Sequence, residues 1–103
     1  MDRFIVVVSG DSMWPTYNDG DRLECTSSDA TLNIGSVVVF KHPFHSEINV
    51  IKRITDIDDA SVFVEGDQPD PTSTDDSHNF GRIPKTSIMG VVIEDEEVYG
   101  RRA

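Results

Sequence analysis

The stretch from Gly10 to Thr16 places one serine, Ser12, between two turn signals. Gly10 lies before the serine and permits a positive φ, while Pro15 lies after it and fixes φ. These residues predict a tight turn that presents the Ser12 hydroxyl and its backbone N–H to the same space. A nucleophile with an oxyanion site requires that arrangement, although an ordinary turn serine also fits the pattern.

Lys52 is the better candidate for the base that such a serine needs. In the segment 50–54, strand alternation places Lys52 on the same face as Val50 and Ile54. Burial disfavours an ammonium ion, so it lowers the pKa of a lysine and leaves a neutral amine that can accept a proton. The same pattern also fits a lysine at a sheet edge whose ammonium reaches solvent.

The chain's three histidines are alternative bases for a Ser-His-Asp triad. None of them, at positions 42, 45 and 78, stands in a recognisable setting. Because His42 and His45 flank a Pro-Phe turn, we expect both to lie in a surface loop. Lys52 therefore remains the preferred base.

The composition favours one small domain that does not bind nucleic acid. A chain of 103 residues suits a single domain, residues 1–103, with one modest core. Its net charge of −10, from 19 acidic and 9 basic residues, would repel nucleic-acid phosphates. The single cysteine, Cys25, cannot form an internal disulfide and suits a reducing compartment.

The N-terminal sequence carries no pattern typical of a signal peptide or of a membrane span. Its apolar run at 4–8 is five residues long. Secretory apolar cores run about 7–15 residues, and a spanning helix needs about 20. We therefore expect a soluble, cytoplasmic protein without an integral membrane segment.

Short runs of β-branched residues, bounded by turn residues, predict a mainly β fold. We expect a small antiparallel folded sheet or barrel, with one helical turn at most near 84–87. The polar segment 68–79 is either a disordered linker or an ordered loop between strands. The predicted strands cover residues 4–8, 22–26, 36–41, 50–57, 61–65 and 88–94.

Three segments, in order, resemble the conserved boxes of type I signal peptidase-like serine proteases. Residues 10–16 look like the nucleophile box, usually written G-x-S-M-x-P-T, and Lys52-Arg53 resembles the lysine box. Residues 66–84 are similar to the third box, G-D-N followed by D-S-R. The first box alone also fits LexA-like self-cleaving repressors, whereas the third box does not. The resemblance implies the catalytic core fold of the signal peptidases without a transmembrane segment.

Within that family, the sequence looks most similar to the nickel-type superoxide dismutase maturation proteases. These small relatives have a His-Pro-Phe sequence before the lysine box, as at 42–44 here. They also have a proline after the G-D-N box and a Ser-Thr pair before D-S-R, as at 69 and 73–74.

The resemblance implies a role for each matching residue. Ser12 would be the nucleophile and Lys52 the general base. A serine of the third box orients the lysine in the family, and Ser73 is its best match, with Thr72 or Thr74 as alternatives.

The family's D-S-R sequence implies an ion pair made by Asp76. Because His78 stands where the family has arginine, that pair is either weaker and pH-sensitive, or Arg82 or Arg53 substitutes. Gln68 replaces the family's asparagine and keeps an amide.

The resemblance also implies that residues around Ser12 contribute to the oxyanion site and to substrate binding. Gly10 stands where many relatives have a serine whose hydroxyl assists the oxyanion hole. Met13 and Trp14 are candidate substrate contacts, although both could pack in the core instead.

The implied function is a soluble Ser-Lys endopeptidase that needs no metal or cofactor. It would remove a short N-terminal propeptide from a protein precursor. The preferred substrate is the precursor of a nickel-type superoxide dismutase, in which case the metal belongs to the substrate. The alternatives are signal peptidase-like processing of another precursor and a LexA-like self-cleaving regulatory domain.

Overall fold

A computed structural model of the protein describes residues 2–27, 31–70, 72 and 74–94, so the candidate residue Ser73 lies outside the described residues. The described part is mainly β, with one seven-stranded antiparallel sheet and little helix. In chain order the elements are β1 (Arg3–Val7), β2 (Arg22–Ser27), β3 (Val37–Lys41), β4 (Asn49–Ile57), β5 (Ser61–Glu65), α1 (Ser77–Phe80), β6 (Ile83–Pro84), a 3₁₀ turn (Lys85–Ser87) and β7 (Ile88–Val92).

The structure confirms all six predicted strands, and each of their ends lies within two residues of the prediction. It also confirms a single helical turn after Pro84. The residue pattern did not predict two short elements, α1 and β6, of which α1 begins within the polar segment 68–79 and β6 follows it. The end of that segment therefore forms a helical turn that leads into the sheet.

The strands follow the order β1-β2-β7-β3-β4-β5-β6 across the sheet. The two strands most important for the site, β3 and β4, are neighbours in its interior, with Val38 opposite Lys52. Strand β1 forms one edge, and its residues Ile5 and Val7 are about half exposed. None of the described helices has the length and apolar character needed to cross a membrane.

Both faces of β3 are buried, because the curved sheet encloses apolar residues on either side. Val38 and Phe40 belong to one apolar cluster, and Val37 and Val39 belong to the other. Alternation along a strand sends successive side chains to opposite faces, which explains this division. Lys52 shares its face with Val50 and Ile54, which are members of the first cluster.

At Gly90, β7 lies close against the Phe4 ring and the backbone of Thr26. A Cβ atom at this position would lie 2.5 Å from the Phe4 ring and would also overlap the backbone oxygen of Thr26. Phe4 packs against the second cluster, so this cluster reaches β7 at a point that has no room for a side chain.

We expect Gly90→Ala to lower the free energy of unfolding by about 1–3 kcal/mol, because overpacking forces neighbouring groups to shift. Urea denaturation followed by circular dichroism measures this change. The exposed Thr86→Ala, in the turn before β7, serves as the control and should stay within about 0.5 kcal/mol. Equal stability of the two variants would contradict the assigned crowding at Gly90.

Candidate active site

Ser12 lies in a compact turn, residues 10–17, which we call the Ser12 turn. Gly10 opens the turn with φ of 86°, in the left-handed region that favours glycine. Its N–H donates a hydrogen bond of 2.7 Å to the Asp19 carboxylate, and the Trp14 N–H donates one of 3.0 Å to the Asp11 carbonyl. These bonds fix the chain on both sides of the serine.

The Lys52 amine donates a hydrogen bond of 3.0 Å to the Ser12 hydroxyl. Lys52 is only 5% exposed and lies on an interior strand, so it is not an edge lysine whose ammonium reaches solvent. Burial lowers the pKa of Lys52, while the nearby carboxylates of Asp76 and Asp75 act in the opposite direction. A neutral amine at this distance can take the proton of a serine hydroxyl.

Arg53, the next residue on β4, points to the other face of the sheet and binds Asp67 there. Its guanidinium donates two hydrogen bonds, of 3.0 and 2.9 Å, to the two oxygens of Asp67. Asp67 also accepts a hydrogen bond from the Thr16 side chain, at the end of the Ser12 turn. Burial alone would raise the pKa of Asp67, but the bonds from Arg53 and Thr16 hold it below its ordinary value.

The segment from Gly66 to Gln68 packs directly against the Ser12 turn. The Gln68 N–H donates a 3.0 Å hydrogen bond to the Ser12 carbonyl, and the Gln68 amide donates one of 3.3 Å to the Asp11 carbonyl. A Cβ at Gly66 would lie 2.5 Å from the Ser12 carbonyl oxygen and 2.8 Å from a Thr74 methyl. Only glycine permits this approach, so the first and third boxes meet here.

Asp76 is buried and accepts three hydrogen bonds. Two come from His78, through its N–H at 2.9 Å and its ring Nδ1 at 3.0 Å, and one comes from the Thr74 hydroxyl at 3.0 Å. Burial alone would raise the pKa of Asp76, but these bonds lower it. Of the three candidate partners, His78 is the one bonded to Asp76, while Arg82 pairs with Asp56 and Arg53 pairs with Asp67.

His42 lies in the groove beside Lys52, and the expectation that it would lie in a surface loop is wrong. The ring is 7% exposed, packs on Phe80 at a centroid distance of 5.1 Å, and contacts the Asp75 carboxylate at 2.7 Å. The signal was strand alternation continued beyond β3, which places His42 on the same face as Phe40. His45 is exposed, as expected.

A groove of about 500 Å³ opens over Ser12 and Lys52. Met13 is almost fully buried in the second apolar cluster and also contributes to the lining, whereas Trp14 is 46% exposed and is absent from the lining among the described residues. The other lining residues come from four parts of the chain, namely residues 5–9 at and after β1, Val39 on β3, residues 42, 45 and 48–51 between β3 and β4 and at the start of β4, and Asp75.

A serine hydroxyl bonded to a buried lysine thus lies in a groove of a small antiparallel sheet. The sequence pattern of the Peptidase S24-like family matches residues 2–93. The chain therefore belongs to the Peptidase S24-like family, which comprises serine peptidases and self-cleaving domains. Among curated proteins, the comparison finds no match.

Asp67→Asn tests whether the Arg53 pair holds the site together. The Asp67 side chain is 16% exposed, so removing its charge leaves a partly buried guanidinium with weaker partners. We expect a loss of about 1.5–3 kcal/mol in the free energy of unfolding, measured by urea denaturation.

Asp56→Asn is the matched control, because it removes the same charge from another arginine pair. The Asp56 side chain is 61% exposed, and an exposed pair contributes at most about 1 kcal/mol. If Asp56→Asn lowered the free energy of unfolding as much as Asp67→Asn, burial would not be the reason that the Arg53 pair stabilises the protein.

Proposed function

We propose that this chain is an endopeptidase in which Ser12 is the nucleophile and Lys52 the general base. The observation that carries the proposal is the 3.0 Å hydrogen bond from a 5% exposed lysine amine to the serine hydroxyl. A lysine kept from solvent loses its preference for the ammonium form, and a serine is unreactive without such a base.

The proposed reaction is acyl transfer to Ser12 followed by hydrolysis. Neutral Lys52 takes the Ser12 proton while the oxygen attacks the scissile carbonyl, and the Ser12 backbone N–H donates to the developing oxyanion. The Lys52 ammonium then gives that proton to the leaving amine, and the peptide C–N bond breaks. Water attacks the ester with Lys52 again as base, which releases the acid product and restores the Ser12 hydroxyl.

The groove favours an extended peptide as substrate. Strand β1 is a sheet edge beside Ser12, and an extended chain can add to such an edge through backbone hydrogen bonds. The apolar side chains of Ile5 and Val7 would face that chain. In this proposal, Met13 contacts the substrate from the floor of the groove, and Trp14 contacts it outside the described lining.

The remaining candidate residues have supporting roles in the proposal. Gly10 allows the turn that aims the Ser12 N–H, and Asp76, held by His78, supports the segment beside the base. Ser73 orients Lys52 in this proposal, and Thr74, whose hydroxyl donates to Asp76, is the alternative.

We propose, as the substrate, a cytoplasmic precursor with a short N-terminal propeptide, specifically that of a nickel-type superoxide dismutase. This step rests on the similarity of residues 42–44, 69 and 73–78 to the maturation proteases of that enzyme. The metal would bind the processed substrate and not the peptidase.

A LexA-like self-cleaving domain is the second candidate function. The match to the Peptidase S24-like family supports it, because that family includes self-cleaving domains. The two candidates share the Ser12 and Lys52 chemistry and differ in whether the cut bond lies in this chain or in another protein.

Intact-mass spectrometry of the protein with a nickel superoxide dismutase precursor separates the candidates. We expect one cut at the propeptide junction, and we expect Ser12→Ala and Lys52→Met each to lower its rate by at least about 10³-fold. Lys41→Met, at an exposed position on β3, is the control and should cleave normally. A Lys52→Met variant with full activity would disprove the lysine's role as base.

The same experiment has informative negative results. If the precursor stayed uncut while the enzyme was folded, nickel superoxide dismutase would be excluded as the substrate. Other precursors with a short N-terminal propeptide would remain as candidates. A cut within the peptidase itself, in the absence of any substrate and lost in Ser12→Ala, would favour the self-cleaving domain.

The pH dependence of cleavage provides a separate prediction. Only the neutral amine can act as base, so kcat/KM should rise as pH increases through the pKa of Lys52. Because burial lowers that pKa, the midpoint should lie below the ordinary lysine value of 10.5. Fluorescence of the single tryptophan, Trp14, checks that the fold persists over the same range. A midpoint at or above 10.5 would contradict a buried base.

A further inference from the structure

A second polar pair, His42 and Asp75, lies in the same groove as Ser12 and Lys52. The proposed mechanism does not use it. His42 is buried, whereas the Asp75 side chain is 58% exposed. A half-exposed carboxylate normally turns freely toward water, so its attachment to a buried ring at 2.7 Å needs an explanation.

The hydrogen bonds around His42 determine which of its nitrogens carries the proton. The Phe44 N–H donates to Nδ1 at 3.1 Å, so Nδ1 is an acceptor in this arrangement. The ring proton therefore lies on Nε2, which donates to the Asp75 carboxylate. Phe80 packs edge-on against the ring and fixes its plane.

Asp75 is held at both of its oxygens. His42 binds Oδ2 at 2.7 Å, and the Asn79 amide of α1 donates to Oδ1 at 3.0 Å. These bonds, led by the one from His42, keep the pKa of Asp75 below its ordinary value. The carboxylate is consequently charged and held at both oxygens, and it lines the same groove as Lys52, whose ammonium form it favours.

We propose that His42 and Asp75 form a positioning pair, which holds a carboxylate toward Lys52 and strengthens the hold of its amine on the proton taken from Ser12. The proposal deepens the proposed function and rests on Lys52 as the base. In the first step the amine becomes an ammonium inside the protein, and a fixed negative charge stabilises that product.

Other charged and titratable groups around Lys52 have different attachments. Asp76 also favours the ammonium form of Lys52, but it is bonded within its own segment to Thr74 and His78. Arg53 points away from Lys52 toward Asp67. His45 lines the groove and is exposed, and the charged residues adjoining the lining, Asp11, Lys41 and Glu47, are exposed as well.

The test is a titration of the lysine amine itself, without substrate. The chain has three lysines, Lys41, Lys52 and Lys85, so protein labelled with ¹³C at the lysine ε-carbon gives three NMR signals. Lys52→Met assigns the relevant one, and the other two are internal controls. We expect Asp75→Asn to lower the pKa of Lys52 and to leave the other two lysines unchanged.

Variants of His42 separate positioning from simple packing. His42→Phe keeps a buried ring against Phe80 but loses the donor, so the pKa of Lys52 should fall as in Asp75→Asn. His42→Gln restores a side-chain N–H donor and should return the pKa toward the starting value. Asp59→Asn, in the exposed turn beyond the end of β4, removes the same charge far along the strand and should have no effect.

An unchanged or raised Lys52 pKa in folded Asp75→Asn would overturn the positioning pair. In active protein, the acid limb of kcat/KM should move to lower pH in Asp75→Asn, and its plateau should fall, because the amine becomes a weaker base. Loss of activity without any pKa change would indicate a purely structural role and would also overturn the proposal. If Lys52→Met retained activity, the proposed function would fail, while the titration would still decide the pair.

Discussion

The burial of the Lys52 amine is the constraint on which the arrangement of the site depends. Interior position and apolar neighbours such as Val50 remove most of its hydration, and an isolated ammonium there is unfavourable. The hydroxyl of Ser12 gives the amine a polar partner without cancelling the effect of burial. The Ser12 turn must therefore pack against β4 at Lys52.

Strand β4 meets this constraint because consecutive side chains on a strand point in opposite directions. Lys52 points into the site, and Arg53 points to the opposite face, where it binds Asp67. Asp67 in turn receives the Thr16 side chain. A two-residue sequence thus supplies both the amine that binds the Ser12 hydroxyl and the guanidinium that contacts the Ser12 turn through Asp67. A shift of register by one residue would exchange the two and destroy the site.

The sequence was most informative where β-branched residues stand in short runs between turn residues, and these runs located the six longer strands. Alternation located the inward face of Lys52, because a half-buried strand leaves a period of two in its residues. The helix α1 was missed since it is one turn of polar residues, whose order depends on Asp76 at its start. His42 was missed because the proline after it suggested a loop, whereas tertiary packing on Phe80 decides its burial. Contacts such as Gly66 with Ser12 join distant segments, and only the family resemblance pointed to them.

Besides the Ser12 hydroxyl, two carboxylates influence the buried amine of Lys52. Desolvation alone would make Lys52 easy to deprotonate but a poor acceptor for the Ser12 proton. The carboxylates of Asp75 and Asp76 act against desolvation. General base catalysis is most effective when the pKa of the base lies near the working pH, so neither influence suffices by itself. The groove walls are mostly apolar and weaken solvent screening there, so the carboxylate of Asp75 offsets part of the effect of burial on the amine.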